Sequence, residues 1–401
     1  MTIRTLKNYA HKQLALAANI LYRFPAKGMV IIGVTGTDGK TTTSNLIYHV
    51  LRQSGKKTAV ISTVGAIIDG KEYDTGFHVT TPSPFAVQKY LYLAKKSGCT
   101  HVVLEVTSHA LDQNRVWGIH FDVGVLTNIT HEHLDYHKTY LRYVNAKLRL
   151  FDVSKVAVIN SNGEWFSEVL KKNPKEKIVT YSLNGQNKED ITPRSLPFPI
   201  KTNLIGDFNT ENILAAYATC RILGISDKVI DMGIQSYSPP PGRQEILMTK
   251  NGVRVIVDFA HTPNSFEKIL PEVRKMTKGR LIHVFGAAGQ RDKSKRPEMG
   301  KSASAWDDII VLTAEDPRSE SIASINSGIK EGIGRKFETK DIHEISDRRE
   351  AIEFALSNAH KNDTVIITGK GHEASMNLGN GEISWSDKKA VTDYLTLHHE
   401  L

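Results

Sequence analysis

The stretch Val30–Thr41, with the sequence VIIGVTGTDGKT, decides the fold. An apolar run leads into a glycine-rich turn, which ends in the pair Lys40 and Thr41. In a phosphate-binding loop, glycine lets backbone N–H groups surround phosphate oxygens, lysine reaches the outer phosphates and the hydroxyl binds Mg²⁺. Val34 stands where the general pattern has glycine, so the sequence predicts a variant of this loop. The alternative is an ordinary glycine-rich turn, which the flanking strand and helix patterns and the Lys-Thr pair together disfavour.

Short apolar runs alternate with helical patterns on both sides of this loop. The runs are nearly continuous, as in parallel strands covered on both faces, and lie at 30–32, 59–61, 102–104 and 123–125. Helical patterns occupy 41–53 and 85–97. This order predicts an α/β protein with a P-loop-type central domain and a mostly parallel sheet.

A proline-rich break, SPPPG at 238–242, precedes a second α/β series. Three prolines followed by glycine cannot continue a helix or a central strand. Beyond the break we predict strands at 253–258, 281–285, 309–313 and 365–368, and helices at 264–275, 297–305, 321–333 and 347–359. The series indicates a Rossmann-like C-terminal α/β domain. The predicted division is an N-terminal helical segment at 1–27, a central ATP-binding domain at 28–238 and a C-terminal amino-acid-binding domain at 239–401.

The composition, 40% hydrophobic and 24% charged among 401 residues, is that of a globular protein. Two cysteines, Cys99 and Cys220, without a CxxC pair argue against a disulfide framework or a structural zinc site, and they fit a cytoplasmic protein. The net charge of +9 fits a nucleic acid, a membrane surface or an anionic substrate. Because no block of five Lys or Arg occurs, we expect small anionic substrates and no nucleic-acid partner.

The N-terminal segment 5–23 is predicted to be an amphipathic helix. Its apolar side carries Leu6, Tyr9, Leu14 and Leu21. The longest apolar stretch, Leu14–Tyr22, is interrupted by Asn19 and is too short to span a bilayer. We therefore expect no membrane span.

A carboxylate and a histidine-rich segment follow strands of the predicted sheet. Glu105 stands at the end of its strand, and open α/β sheets bind ligands at the carboxyl ends of their strands. Thr127–His137 holds three histidines and two carboxylates, which suggests a metal site. The spacing of His131 and His133 disfavours zinc, whereas one histidine beside a nucleotide-bound Mg²⁺ is compatible. Surface histidines in a polar loop are the alternative. Lys147 lies on a predicted helix, and its spacing alone assigns it no function.

Four segments, in this order and spacing, resemble the Mur ligase family. They are GVTGTDGKTTT from Gly33, EVTSHAL from Glu105, HLDYH from His133 and NAK from Asn145. Within the family they are most like the MurE type, the UDP-N-acetylmuramoyl-tripeptide synthetases. Further motifs extend the resemblance from about residue 28 to about residue 391. The resemblance implies a ligase that uses ATP and Mg²⁺.

The resemblance also assigns roles to individual positions. The implied catalytic residues are Lys40, Glu105, His133 and Lys147. The implied Mg²⁺ ligands are Thr41, Glu105, His133 and a carbamylated Lys147, since carbamylation turns an ammonium into a carboxylate-like anion. The implied ATP-binding residues are Gly36, Thr37, Asp38, Gly39, Lys40, Thr41, Thr42, Asn209, Arg243, Asp258 and Arg291. The implied acceptor-binding residues are Thr80, Thr81, Ser108, Gln113 and Arg115.

In the second half of the chain, the resemblance places the incoming amino acid at two loops, TAEDPR at 313–318 and GKGHE at 369–373. The implied residues are Asp316, Arg318, Gly369 and Glu373. Arg318 can fork onto a carboxylate, and Glu373 can meet an ammonium.

Three features depart from the family pattern. About thirty residues precede the phosphate loop, where full-length members carry a domain that binds uridine diphosphate. We therefore expect a lipid-linked or otherwise altered acceptor, or a partner protein that replaces the missing domain. Ala287 and Ala288 stand where glycine is usual. Asp316 stands where diaminopimelate-adding members have asparagine, and its charge disfavours a carboxylate substrate, whereas Arg318 favours one.

The resemblance implies an ATP-dependent amide-bond ligase of cell-wall precursor synthesis. It is expected to add meso-diaminopimelate or lysine to a muramoyl-dipeptide-type acceptor through an acyl phosphate, and Arg318 favours meso-diaminopimelate. Two alternatives stay open. One is a folylpolyglutamate-synthase-like ligase, which Arg318 and the 369–373 loop disfavour. The other is a nucleotide-binding subunit that ligates nothing and docks on a partner enzyme.

Overall fold

The computed structural model describes residues 3–73, 80–130, 132–163, 165–172, 177–185, 187–188, 190–334 and 341–400. The chain forms two compact units. The first comprises Met1–Asn203 and Asp207–Ser238, and the second comprises Leu204–Gly206 and Pro239–Leu401. The N-terminal helix is part of the first unit, and the predicted division into three segments with separate binding roles stays a prediction.

The first unit is built on a mostly parallel sheet. Its described strands are β1 (Val30–Thr35), β2 (Thr58–Ser62), β3 (Gly65–Ile68), β4 (Lys71–Tyr73), β5 (His101–Glu105), β6 (Phe121–Leu126), β7 (Ser154–Asn160) and β8 (Lys177–Tyr181). They lie in the order β4-β3-β2-β5-β1-β6-β7-β8. β3 pairs antiparallel with β2 and β4, and the other neighbours are parallel. β2 and β5 are buried along their whole length, as their continuous apolar sequences predict.

Helices cover this sheet. They are α1 (Ile3–Leu21), α2 (Lys40–Gln53), α3 (Pro84–Lys96), α4 (Ser108–Asp112), α5 (Leu134–His137), α6 (Tyr140–Leu148), α7 (Phe166–Lys172), α8 (Asp207–Ile222) and α9 (Asp227–Ser236). α3 begins where its sequence dictates, because the Ser83 side chain accepts from Ala86 N and Pro84 occupies the first turn. Thr139 caps α6 in the same way, through Arg142 N.

The second unit has its own parallel-rich sheet. Its described strands are β9 (Glu245–Met248), β10 (Arg254–Asp258), β11 (Leu281–Phe285), β12 (Ile309–Leu312), β13 (Ile342–Glu344), β14 (Thr364–Thr368), β15 (Ser375–Asn377) and β16 (Glu382–Ser384). The main order is β13-β12-β11-β14-β10-β9, in which β9 alone among the described strands is antiparallel to its neighbour. β15 and β16 form a separate antiparallel pair.

The helices of the second unit are α10 (Pro263–Met276), α11 (Lys295–Trp306), α12 (Ile322–Lys330), α13 (Arg348–Ser357) and α14 (Asp387–Leu397). Two apolar clusters form the cores of this unit. The prediction of an α/β fold with a mostly parallel central sheet and a Rossmann-like C-terminal domain is confirmed.

The N-terminal helix forms as predicted, but the side that packs is not the side with the large apolar residues. α1 packs against α3. Among residues 7–21, whose side chains are described, Ala15, Ala18 and Asn19 are buried. The side chain of Leu6 lies outside this range. Tyr9 is 58% exposed and Leu21 is 64% exposed. Small side chains let two helices approach closely, so the larger ones are left in water. Among the described residues, no helix is both long and apolar enough to cross a membrane.

Candidate active site

The loop between β1 and α2 has the backbone of an anion site. Gly39 caps α2 in the left-handed region, with a φ of +78°, and a Cβ there would lie 2.2 Å from Asn212 Oδ1. Both the conformation and the close approach require glycine. Lys40 and Thr41 open the helix, where free N–H groups and the helix dipole favour an anion. The Lys40 ammonium donates to Thr37 O at 2.8 Å.

The segment that follows β6 fixes this loop. Asp38 N donates to Asn128 Oδ1 at 2.9 Å, and Thr127 Oγ1 donates to Asp38 O at 2.6 Å. On the other side, Thr37 Oγ1 lies 3.0 Å from the Tyr143 hydroxyl of α6. The phosphate loop is therefore held in place by hydrogen bonds from two neighbouring elements.

Glu105 lies beside the phosphate loop, as its place at the end of β5 predicts. The Thr41 hydroxyl lies 3.2 and 3.1 Å from the two Glu105 carboxylate oxygens. Thr63, just beyond β2, donates to the same carboxylate from its N–H at 3.1 Å and from its hydroxyl at 3.0 Å. Glu105 is 1% exposed. A buried carboxylate next to a hydroxyl is a set of hard oxygen donors, so these residues fit Mg²⁺.

Lys147 of α6 is also buried beside the phosphate loop. Its ammonium nitrogen lies 2.5 Å from Gly36 O and 4.5 Å from the centre of the Tyr143 ring. Burial, and then the neighbouring charge of Lys40, hold the pKa of Lys147 well below its ordinary value. The side chain is therefore an amine that can stay neutral in the folded protein, next to the predicted cation site.

His133 belongs to an aromatic cluster near this site. Its ring centre lies 4.9 Å from that of His109 and 6.1 Å from that of Tyr143, and Glu132 lies 3.6 Å from its Nε2. His131 lies outside the described residues. Within the described ranges, no group of three or more His, Cys, Asp and Glu side chains comes together as a metal site. The predicted Mg²⁺ ligands Thr41, Glu105, His133 and carbamylated Lys147 stay a prediction.

Three of the five predicted acceptor residues form a connected polar group. Thr81 Oγ1 donates to Glu105 O at 3.0 Å, and Arg115 donates to Thr81 O at 3.0 Å and to Gln113 Oε1 at 2.8 Å. Ser108 Oγ lies 3.0 Å from His137 Nε2, and Thr80 is half-buried next to Thr81. Thr81, Arg115 and Gln113 are thus joined by hydrogen bonds to the end of the Glu105 strand, and Ser108 is held separately by His137.

Two further predicted ATP-binding residues lie in the first unit. Asn209 of α8 accepts from Asn212 Nδ2 at 2.9 Å, and the Thr43 hydroxyl donates to Asn212 Oδ1 at 3.2 Å. Asn209 is therefore connected to the phosphate loop through Asn212. Thr42 is half-buried, and its carbonyl oxygen lies 3.5 Å from the Tyr237 hydroxyl.

The other predicted ATP-binding residues lie in the second unit. The Arg243 guanidinium lies over the Phe259 ring, 4.3 Å from its centre. Asp258 accepts from Gln244 N and Ala260 N, each at 2.8 Å. Burial raises the pKa of Asp258, and the charge of Arg243 opposes this shift. Arg291 is exposed.

The two predicted amino-acid loops meet in the second unit. Lys370 donates to Asp316 Oδ1 at 2.9 Å and lies 2.5 Å from Glu373 Oε2, and its side chain is fully buried. Asn377 N also donates to Asp316 Oδ1, at 2.9 Å. Arg318 donates to Gly289 O at 3.1 Å. Asp316 is therefore paired with a buried cation that it shares with Glu373.

Arg348 is hydrogen-bonded to the chain at the start of the same two loops. Its guanidinium forks onto Asp387 at 2.7 and 2.8 Å, and both side chains are fully buried. The remaining donors reach Ala314 O at 3.0 Å and Thr368 O at 2.8 Å, at the ends of β12 and β14. One buried cation thus fixes the start of both loops. Arg318 and Arg348 also line a cavity of about 380 Å³ in this unit.

The family models match along most of the chain. Residues 34–220 match the Mur ligase middle domain, and residues 242–371 match the Mur ligase, glutamate ligase domain. A UDP-N-acetylmuramoyl-L-alanyl-D-glutamate–2,6-diaminopimelate ligase of Clostridium acetobutylicum is 36% identical over 400 residues, covering 96% of this chain and 82% of its own length. The chain belongs to the Mur ligase family.

Other similar proteins support the same family assignment for this Mur ligase. The ligase of the same name from Aquifex aeolicus is 38% identical over 398 residues, covering 96% of this chain and 81% of its own length. A solved structure with that name is 31% identical, with a TM-score of 0.66 and coverage of 96% and 82%. A folylpolyglutamate synthase of Mycobacterium tuberculosis reaches a TM-score of 0.71 at 17% identity, with coverage of 88% and 91%. That likeness shows a shared fold alone.

Sequence reasoning missed several residues that build the site of this Mur ligase. Thr63, Asn128, Tyr143 and Asn212 hold Glu105 or the phosphate loop. Asn128 follows a predicted strand, so the strand-end rule that selected Glu105 also covers it. The other three carry no such signal, because they reach the site through tertiary packing.

Glu315, in the first amino-acid loop, gives the Mur ligase a pH-dependent stability. Burial raises the pKa of Glu315 to about 7, and the charges of Lys295, Lys370 and Arg348 oppose the shift. A folded-state pKa above the unfolded value means that the folded state holds the proton more tightly. Glu315 therefore makes its full contribution to the free energy of unfolding below its pKa in the unfolded chain, and this contribution is lost as the pH rises through about 7.

We expect the wild-type protein to lose on the order of 3 kcal/mol of unfolding free energy between pH 5 and pH 8, relative to a Glu315→Gln variant. The amide keeps the shape and has no proton to lose. Urea denaturation of both proteins at the two pH values measures the difference. Parallel pH profiles would show that Glu315 ionises freely in the folded protein.

Proposed function

We propose that this chain is an ATP-dependent ligase that joins meso-diaminopimelate to a carboxyl group of the D-glutamate in a muramoyl-L-alanyl-D-glutamate-type acceptor. The match along almost the whole chain to relatives of that name supports the proposal. Each unit adds independent support, because the first holds an anion loop and hard oxygen donors and the second holds a cavity beside Arg318.

ATP is the nucleotide that we assign to the phosphate loop. Lys40, the N–H groups that open α2 and Thr41 would bind its phosphates, with Asn209 placed close by through Asn212. Thr41 and Glu105 would hold Mg²⁺, together with His133 and a carbamylated Lys147. When bound there, Mg²⁺ stabilises negative charge on the phosphoryl oxygens. Structures of related fold have been solved with ADP and AMPPCP.

The reaction that we propose has two steps. An acceptor carboxylate oxygen attacks the γ-phosphorus of ATP, the bond to ADP breaks, and an acyl phosphate forms. The amine of the incoming amino acid then attacks the acyl carbon, loses a proton, and expels inorganic phosphate. Lys40 and the loop N–H groups spread the charge of the phosphoryl group in the first step. Thr81 and Arg115, which are fixed by hydrogen bonds, would orient the acceptor.

Meso-diaminopimelate is favoured over lysine by the charges of the second unit. Diaminopimelate carries a second carboxylate where lysine has none. Arg318 supplies a cation beside the cavity, and Asp316 does not oppose it, because Lys370 and Asn377 N occupy Oδ1. The asparagine-to-aspartate departure is therefore compatible with a carboxylate substrate. Glu373, which Lys370 contacts, would meet the ammonium group.

The test is phosphate release from ATP with UDP-N-acetylmuramoyl-L-Ala-D-Glu and, in turn, meso-diaminopimelate, lysine, glutamate or no amino acid. We expect release that requires both the acceptor and diaminopimelate. Release with a folate acceptor and glutamate would favour a folylpolyglutamate-synthase-like activity. Nucleotide binding without release in any mixture would favour the non-ligating subunit.

Replacing Arg318 by alanine should raise the KM for diaminopimelate by about 10- to 100-fold, the effect of losing a charge-assisted hydrogen bond. The KM for ATP should not change. Arg318→Lys is the matched control, because it keeps the charge and loses the fork, so it should give an intermediate KM. Unchanged KM values in the alanine variant would remove Arg318 from the amino-acid site.

A further inference from the structure

The outward face of α1 is apolar although it lies in water. Tyr9, Leu14, Ile20 and Leu21 are 58%, 45%, 59% and 64% exposed. They lie within one side of the helix, opposite Ala15 and Ala18, which pack inward. Exposed apolar residues clustered on one helix face mark an interaction surface more often than single ones do.

α3 also has an exposed stripe, which combines aromatic and lysine side chains. Phe85, Lys89, Tyr92 and Lys96 are all exposed, and their spacing of four, three and four places them along one side of the helix. The Tyr92 ring lies 5.8 Å from that of Tyr22, which follows α1. The α3 stripe therefore reaches the C-terminal end of α1, and the two helices pack side by side. We name the surface formed by these two helices and the turn at 22–27 the N-terminal face.

The charge of this face is of one sign. The first 37 residues contain five Lys and Arg and no Asp or Glu, and α3 adds three lysines without an acidic residue. Arg23, Lys27, Lys89 and Lys96 are exposed. A second copy of the chain would bring the same cations against them, so self-association through this face is disfavoured.

From these observations we propose that the N-terminal face docks on an anionic lipid surface. An amphipathic helix with apolar and tyrosine side chains beside basic residues lies in the plane of a bilayer interface, with the apolar side inserted and the cations at the headgroups. α1, of 19 residues, is long enough to lie there over several turns. Docking would hold the ligase at the membrane surface and is independent of the identity of its substrates.

The test is flotation of the full chain with vesicles of phosphatidylcholine alone or of phosphatidylcholine with phosphatidylglycerol. We expect binding to the anionic vesicles about tenfold or more tighter than to the neutral ones, and weaker at high salt. The variant Leu14→Gln/Ile20→Gln/Leu21→Gln should lose that binding, as should Lys89→Glu/Lys96→Glu. Both sets are exposed and lie outside the proposed active site, so ligation without vesicles should not change.

The matched control replaces three exposed apolar residues elsewhere, in the variant Met232→Gln/Met248→Gln/Leu397→Gln, whose side chains are 57%, 55% and 76% exposed. It should bind vesicles as the wild type does. Equal binding of the wild type to both kinds of vesicle, or equal loss in both glutamine variants, would overturn the proposal. So would a dimer in sedimentation that dissociates in the α1 variant without any vesicle binding.

Discussion

Replacing Lys40 by alanine should lower the rate of ligation by about a thousandfold or more. Lys40 opens α2 beside Gly39, and it is the cation that the phosphate loop supplies. Its charge acts on phosphoryl oxygens whose negative charge changes as the bond to ADP breaks, and positioned charges of this kind lower the barrier by up to about 4 kcal/mol, which is about a thousandfold in rate. Coupled phosphate release with acceptor and diaminopimelate at saturation measures kcat directly.

The control for this variant is Lys57→Ala, since Lys57 is exposed just beyond the same helix. It should keep full activity. Thermal unfolding of both variants should match the wild type, because Lys40 is half-buried and its one hydrogen bond joins it to Thr37 within the loop. Full ligation by a folded Lys40→Ala protein would refute the assignment of the phosphate loop.

The sequence predicted the parts of the site that depend on local rules. The apolar run and the glycines of Val30–Thr41 predict a strand, an anion loop and a helix start, and each has a local cause. Glu105 was found because parallel strands end at the same edge of a sheet, and its carboxylate lies 3.1 Å from the Thr41 hydroxyl. The roles of these residues stay predictions.

The rest could not be predicted because it depends on contacts between distant parts of the chain. Asn212 packs on Gly39 from α8. That helix begins at Asp207, which is 167 residues after Lys40, the first residue of α2. Asp316 is paired with Lys370, which lies 54 residues further along the chain. Periodicity predicts that α1 has an apolar side. Whether that side faces the protein depends on α3, against which α1 packs with Ala15 and Ala18 buried.

Lys147→Ala should also abolish ligation, and activity should return in part when a short carboxylic acid such as formate or acetate is added. Lys147 is buried, and burial and Lys40 both lower its pKa. A neutral amine is the form that combines with carbon dioxide. The resulting carbamate carries a negative charge, which suits a position near Lys40 and the Mg²⁺ ligands Thr41 and Glu105. A free carboxylate can occupy the space that the alanine variant leaves and supply the same charge.

Two controls separate this role from simple packing. Lys147→Met keeps most of the volume, cannot be carbamylated and leaves no space for an added acid, so it should be inactive without rescue. Added primary amines should not restore the alanine variant if the active form is anionic. Wild-type protein equilibrated with carbon-13-labelled bicarbonate should show a carbamate signal that Lys147→Met lacks. Rescue by amines but not by acids would mean that Lys147 acts as a cation, and the Mg²⁺ ligands would then be limited to Thr41, Glu105 and His133.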